Sequence, residues 1–241
     1  MSCKLNFLKP YITMKSSSPQ KTRTKTLSLS YSPNQQEPIS STTAATQTQL
    51  PKTNVFTVSF KTLGACKLGI SRYPDFDYNA EGGIGTGIGT RVTDSEMKDV
   101  ISVCFDMKTL YIPPLESRTT KFLGLPLPPF LKIDIVPELF EGTIGRESGK
   151  VDLEFMAKFL FSVGSIYRAP PLLVKTVLTS EESKGTIRSG RGERLDKEGK
   201  CRLVGVAIVD PIGDFLMNSF LALPTECLAS LNAAISFSNT S

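Results

Sequence analysis

The stretch "VDLEFMAKFLF" places Val151, Leu153, Phe155, Ala157, Phe159 and Phe161 on one side of a two-residue repeat and Asp152, Glu154 and Lys158 on the other. Successive side chains of a strand point to opposite faces, so this repeat specifies a strand with one face buried and one in water. "VFTVSFKTL" repeats the pattern with Phe56, Val58 and Phe60 facing one way. "ISVCFDMKTLY" does so with Ile101, Val103, Phe105, Met107 and Tyr111. Half-buried strands of this kind belong to antiparallel sheets. "RESGK" supplies the turn of a hairpin between "LFEGTIGRE" and the Phe155 strand, while "LLVKTVLTS", "GTIRSGRGERL" and "CRLVGVAIV" read as three further strands, the last two joined by "DKEG". The run Leu203 to Val209 is apolar on both faces and is expected to be covered on both sides.

A second period of two runs through "EGGIGTGIGTRV", where Gly83, Gly85, Gly87 and Gly89 alternate with Ile84, Thr86, Ile88 and Thr90. No Gly-Lys-Ser/Thr follows, so a Walker-type phosphate loop is excluded. The third glycine of a dinucleotide fingerprint is absent as well, since Ile88 and Thr90 stand where it would be. A strand with a glycine face lies where a sheet bends sharply, or where another backbone, a ring or a ligand approaches closely.

Helical signal is scarce. Asp214 is placed to cap "FLMNSFLAL", whose apolar residues go most of the way round, so that helix is expected to be buried or to plug an opening. After Pro224 a second short helix, "TECLASL", is expected. "IPPLESRTTKFLGLPLPPFLKIDIVP" holds six prolines and reads as an extended apolar connection packed over an edge or opening. About eight antiparallel strands with one C-terminal helical segment make a mainly β domain over residues 54–241, either a strongly curled sheet or a lipocalin-like barrel.

Residues 1–53 are different. They carry seven Lys or Arg against the single acid Glu37, with nine Ser and nine Thr, and the remaining chain is left with a net charge of −1. Such a segment buries too little apolar surface to order itself, and its basic, hydroxyl-rich composition is that of a plastid transit peptide. A chloroplast protein, stromal or at the thylakoid surface, is the expectation. The near-neutral remainder, and a basic hairpin "KGTIRSGRGERLDKEGKCR" without aromatic rings, argue against nucleic acid as a partner.

Histidine is absent, which excludes Ser-His and Cys-His nucleophile pairs, His-ligated zinc and a His general base. The five cysteines show no CxxC spacing, so no metal site is expected. Cys104 and Cys201, within apolar strands, read as buried thiols. Carboxylates cluster at Asp75, Asp77 and Glu81, at Asp134, Glu138 and Glu141, and at Asp210 and Asp214; turn and capping roles account for the last two. Arg188 and Arg194 share a face of the basic hairpin and are candidates for gripping a phosphate or anionic headgroup. Phe56, Phe60, Phe105, Phe155, Phe159 and Phe161 all point to the buried side. They either fill a core or line a pocket for an apolar ligand, with Gly85 and Gly87 as further candidate contacts.

The stretch "LPLPPFLKIDIVPELFEGTIGRESGKVDLEFMAKFLFSVGSIYRAPPLLVKT" resembles an uncharacterised family of plant plastid and cyanobacterial proteins. Within it, "LFEGTIGRESGKVDLEF" is similar to strand pairs of lipocalin-like barrels, including the plastid fibrillins, the isoprenoid-binding YceI family and allene oxide cyclase. The resemblance implies a non-catalytic plastid protein that holds or shields an isoprenoid, pigment or acyl lipid. No catalytic residue of the cyclase matches a position here, so a cyclase or isomerase working through carboxylates and Tyr is the second expectation. The third is an assembly factor for a plastid membrane complex, touching it, or the membrane itself, through Leu123 to Val136.

Overall fold

The computed structural model describes residues 55–70, 72–92 and 99–239; the expected transit peptide, residues 1–53, lies outside them. Fifteen strands and one helix follow in the order β1 (Val55–Thr62), β2 (Cys66–Ile70), β3 (Phe76–Tyr78), β4 (Ile84–Arg91), β5 (Val100–Phe105), β6 (Thr120–Phe122), β7 (Leu125–Pro126) and β8 (Leu131–Gly145). The chain continues through β9 (Val151–Val163), β10 (Tyr167–Arg168), β11 (Leu172–Thr179), β12 (Glu182–Lys184), β13 (Ser189–Arg191), β14 (Lys200–Val209), α1 (Phe215–Leu221) and β15 (Thr225–Asn239).

Pairing is antiparallel throughout and runs β1-β4-β5-β8-β9-β11-β14-β15, where β15 pairs back onto β1. The strongly curled sheet thus returns on itself as a ring of eight staves. Three staves are broken at mid-height. β15 pairs with β1 along Ala233–Asn239 and with β2 along Cys227–Ser230, and the chain between them, Leu63 to Ala65, is pinned by Asn232, which donates from Nδ2 to the carbonyls of Gly64 and Ala65. In the same way β4 continues as β3 beside β2, and β5 is succeeded by β6 beside β3. One end of the ring carries the β8–β9 turn; the other carries α1.

The alternating segments sit as their periodicity requires. Val151, Leu153, Phe155 and Phe161 are buried, as are Phe56, Val58 and Phe60. The end away from α1 is a filled core in which Phe140 stacks on Phe105 at 4.7 Å and meets Phe60 and Phe155 edge-on at 5.0 and 5.9 Å. The glycine face points inward here. A Cβ on Gly87 would lie 2.7 Å from the Cys104 carbonyl oxygen and 3.0 Å from Phe105 Cα; one on Gly89 would lie 2.7 Å from Ile101 Cγ2. Close approach of neighbouring strands and side chains therefore explains the glycines, and Ile84 and Ile88 are left on the outer surface.

Several expectations are corrected. "TECLASL" is the first half of β15, because both edges of that segment are paired, with β14 and with β2, and two ladders outweigh a local helical preference. "GTIRSGRGERL" contributes only the short strand β13, which pairs with β12 in a hairpin outside the ring. The proline-rich connection contains a β6–β7 hairpin, and its last residues already belong to β8. Pro137 is accommodated there by a register shift against β9. Cys104 lies on the outer face of β5 and is half-buried rather than buried, because Val103 and Phe105 take the inner positions. Of the run expected to be covered on both faces, Leu203, Val204, Ala207 and Val209 are buried but Ile208 is exposed, since on their shared outer face the β12–β13 hairpin region reaches Val204 and Val206 but not Ile208.

Candidate functional site

Above the packed core the ring holds a cavity of about 240 Å³. Phe60, Phe140 and Phe155 form its floor, and Leu131, Phe159, Val174 and Ala207 belong to its walls. Met217, Phe220 and Leu221 of α1 close the top. The broken staves create this space: at this level β2 and β3, with Leu68, Phe76 and Tyr78, replace β1 and the glycine strand as the wall.

Among the described residues that line it none is charged. Three of its polar side chains are already engaged. Thr62 Oγ1 donates to the Ala80 carbonyl, Tyr78 donates to the Pro113 carbonyl, and Thr176 Oγ1 donates to the Val206 carbonyl at 2.8 Å. Among the described residues no buried side-chain nitrogen or oxygen lacks a partner. Burial pushes the Tyr78 hydroxyl well above its usual value, and pushes the lining thiol of Cys227 up to about 11. A cavity so lined can exclude water and enclose hydrocarbon; it offers nothing to hold an ion.

Of the residues singled out from sequence, Phe60, Phe155, Phe159 and Phe161 converge on the cavity. Phe56 and Phe105 are buried in the ring without reaching it, and Gly85 and Gly87 pack against Leu110 and β5 instead. Arg188 and Arg194 do not form one site. Arg188 donates from Nη1 to Asp75 at 2.7 Å and from Nη2 to the carbonyls of Ile70 and Tyr73 at 2.8 and 2.7 Å, while Arg194 Nε donates to Glu181 at 2.6 Å. Arg188 is a fastener. Beside it the Glu226 carboxylate accepts the backbone N–H groups of Thr186, Ile187 and Arg188, which together hold the Glu226 carboxyl below its usual range.

The candidate acids and bases stay outside. Asp134 pairs with Lys132 at 2.7 Å and Glu138 with Lys158 at 2.5 Å, and Glu141 lies on the strand face opposite the inward Phe140. Among the described residues no carboxylate lines the cavity. Among the described residues no cluster of His, Cys, Asp and Glu is arranged to hold a metal ion.

The contributions of β2 and β3 were not apparent from the sequence, because both are too short to show a period. α1 was legible through its cap. Asp214 accepts from the Met217 N–H and from the Tyr167 hydroxyl, each at 2.8 Å, and these two donors, the backbone one first, hold its carboxyl below the usual range. Met217, the buried residue of the helix, packs among Phe161, Leu172 and Val209 and seats the plug in the end of the ring. Its far end is tied by Tyr73, whose hydroxyl donates to the Phe220 carbonyl at 2.6 Å.

Comparison of the chain with protein-family models, curated proteins and solved structures gave no match in any of the three.

Proposed function

We propose that the protein binds a neutral apolar molecule, or the apolar arm of a larger one, of isoprenoid, pigment or acyl type, and that it does so without catalysis. The observation that carries this reading is the uncharged cavity between the phenylalanine floor and α1. Its size sets the scale of the ligand. An apolar cavity of about 150 Å³ accepts benzene, so 240 Å³ corresponds to roughly ten carbon atoms. A carboxylate or phosphate at that depth would meet no counter-charge and is disfavoured.

The alternative of a cyclase or isomerase is less well supported, since it requires a carboxylate or a titrating Tyr at the substrate. Among the described residues Tyr78 is the only Tyr in the lining, and its hydroxyl is buried and engaged. Residence in a plastid is proposed on the composition of residues 1–53.

The test is mass spectrometry of solvent extracts of the purified full chain, followed by titration with a neutral apolar fluorophore and competition by the recovered compound. A co-purifying apolar compound that displaces the probe is the expected result. Absence of any such compound, with no saturable probe binding, refutes the reading. Residues 1–53 fused to a reporter are expected to carry it into plastids, and a reporter that stays in the cytosol refutes that part.

A further inference from the structure

Large apolar side chains lie exposed around the α1 end of the ring, contributed by three separate segments. The β6–β7 turn presents Leu123 and Leu125; the paired ends of β8 and β9 present Phe130, 79 % exposed, and Ile166, 92 % exposed. α1 presents Phe215, 82 % exposed, with Leu216 and Phe220.

Contacts between these segments bring them to one rim. Gly164, two residues before Ile166, donates its N–H to the Phe130 carbonyl at 2.8 Å. Tyr167, next to Ile166, meets Phe161 and donates to Asp214, the residue before Phe215. Phe220 lies 5.6 Å from Tyr73, and Tyr73 lies 6.3 Å from Phe122, the residue before Leu123. Nothing in the turn geometry requires leucine at these places. Leu123 (φ 51°) and Gly124 (φ 80°) occupy the left-handed positions of a two-residue hairpin turn, where Asn-Gly or Gly-Gly would be easier.

Charge follows the same geography. Residues 117–133 and 159–179, which supply the β6–β7, Phe130 and Ile166 parts of the rim, contain Arg118, Lys121, Lys132, Arg168 and Lys175 and no acid; Arg118 and Lys132 are paired with the flanking Glu116 and Asp134, which leaves Lys121, Arg168 and Lys175 without an ion pair among the described residues. Residues 211–225, which contain α1, have the single acid Asp214, and it is spent on the cap and on Tyr167. Apolar side chains flanked by cations are the composition of a surface that lies in the headgroup region of an anionic bilayer. The rim is also continuous with the cavity, because Phe220 both lines it and is half exposed.

We infer that the α1 end docks onto an anionic lipid surface, with α1 and the Leu123, Phe130 and Ile166 turns seated among the headgroups, so that the cavity opens toward the bilayer rather than toward water. This rests on the apolar-ligand reading only for its last clause. A ligand arm of roughly ten carbons fills the cavity, and any remaining length leaves past Phe220 into lipid without crossing water. Shielding such a molecule in transit is then a matter of lifting the rim off the surface while α1 stays capped.

The test is flotation of the full chain with vesicles of phosphatidylcholine alone and of phosphatidylcholine mixed with phosphatidylglycerol. The wild type is expected to float with the mixed vesicles and much less with the neutral ones. Ile166→Asp and Phe215→Asp, both at exposed positions, are each expected to lower the partition by at least about tenfold. Arg168→Glu is expected to lower it by about fivefold or more on the mixed vesicles. Ile88→Asp, on the outer face of β4 and away from the rim, is the control and should float as the wild type does. Absence of flotation of the wild type overturns the inference, as does an Ile88→Asp defect equal to that of Ile166→Asp. A wild-type dimer that becomes monomeric on Phe215→Asp, without vesicle binding, overturns it in favour of a second copy as the occupant. Probe binding by the rim variants in vesicle-free solution separates the two readings: flotation without any probe binding leaves the docking surface in place and removes the cavity as a ligand site.

Discussion

Ala207 lies on the wall of the cavity, buried, between Gly205 and Val209 of β14. Replacing it with leucine adds three carbon groups. In a filled core such an addition overpacks and costs about 1–3 kcal/mol. In a cavity of about 240 Å³ there is room, and burying three groups at about 0.8 kcal/mol each should instead stabilise the domain by about 2.4 kcal/mol. For a domain of this length each kcal/mol moves Tm by about 2–4 °C, so Ala207→Leu is expected to raise Tm by roughly 5–10 °C. The same carbons occupy volume that a ligand would use. If three ligand carbons are displaced, affinity for a ten-carbon apolar probe should fall by roughly fiftyfold. Thermal melts of the ligand-stripped full chain, with and without the probe, measure both quantities. Opposite signs are required: greater stability together with a smaller probe-induced Tm shift. A lower Tm for Ala207→Leu, with probe binding unchanged, would refute both the cavity and its assignment as the ligand site.

Phe140 on the floor and Phe159 on the wall differ in how far they are packed: Phe140→Ala should destabilise the domain by about 3–5 kcal/mol in urea titrations because it removes three ring contacts, whereas Phe159→Ala, which has no such ring contacts, should cost clearly less and chiefly weaken probe binding. Gly87→Val should cost about 1–3 kcal/mol or more, since its Cβ meets backbone that cannot move aside, while Thr86→Val on the exposed face should leave Tm nearly unchanged; equal effects at 86 and 87 refute the inward glycine face. Burial pushes the Cys201 thiol up to about 12 and that of Cys227 up to about 11, so in alkali the unfolded chain releases these protons first. Stability should therefore fall from about pH 8.5 upward, each thiol contributing up to about 1.4 kcal/mol per pH unit until its folded value is reached, and Cys201→Ala should flatten that slope in a pH series of urea melts.

By itself the sequence determined the mainly β class, the faces of the long strands and the capped helix. These are local matters: a period of two in "VDLEFMAKFLF" or a carboxylate three residues ahead of Met217 shows its consequence within one segment. The glycine face was legible as a place of close approach, and the Cβ distances at Gly87 and Gly89 say what approaches. The fate of "TECLASL" was not legible, because a segment of mixed propensity becomes a strand only when partners arrive at both edges, and one of those partners, β2, comes from a distant part of the chain while the other, β14, lies beyond α1. Arg188 had the same ambiguity. A guanidinium fork grips whatever the fold sets before it, and here that is Asp75 and two carbonyls. Whether inward phenylalanines fill a ring or line a space depends on the summed volume of side chains from every stave against the width of the ring. Alternation shows which way each ring points; only the tertiary structure shows that Phe140 meets three others while Phe159 faces a cavity beneath α1.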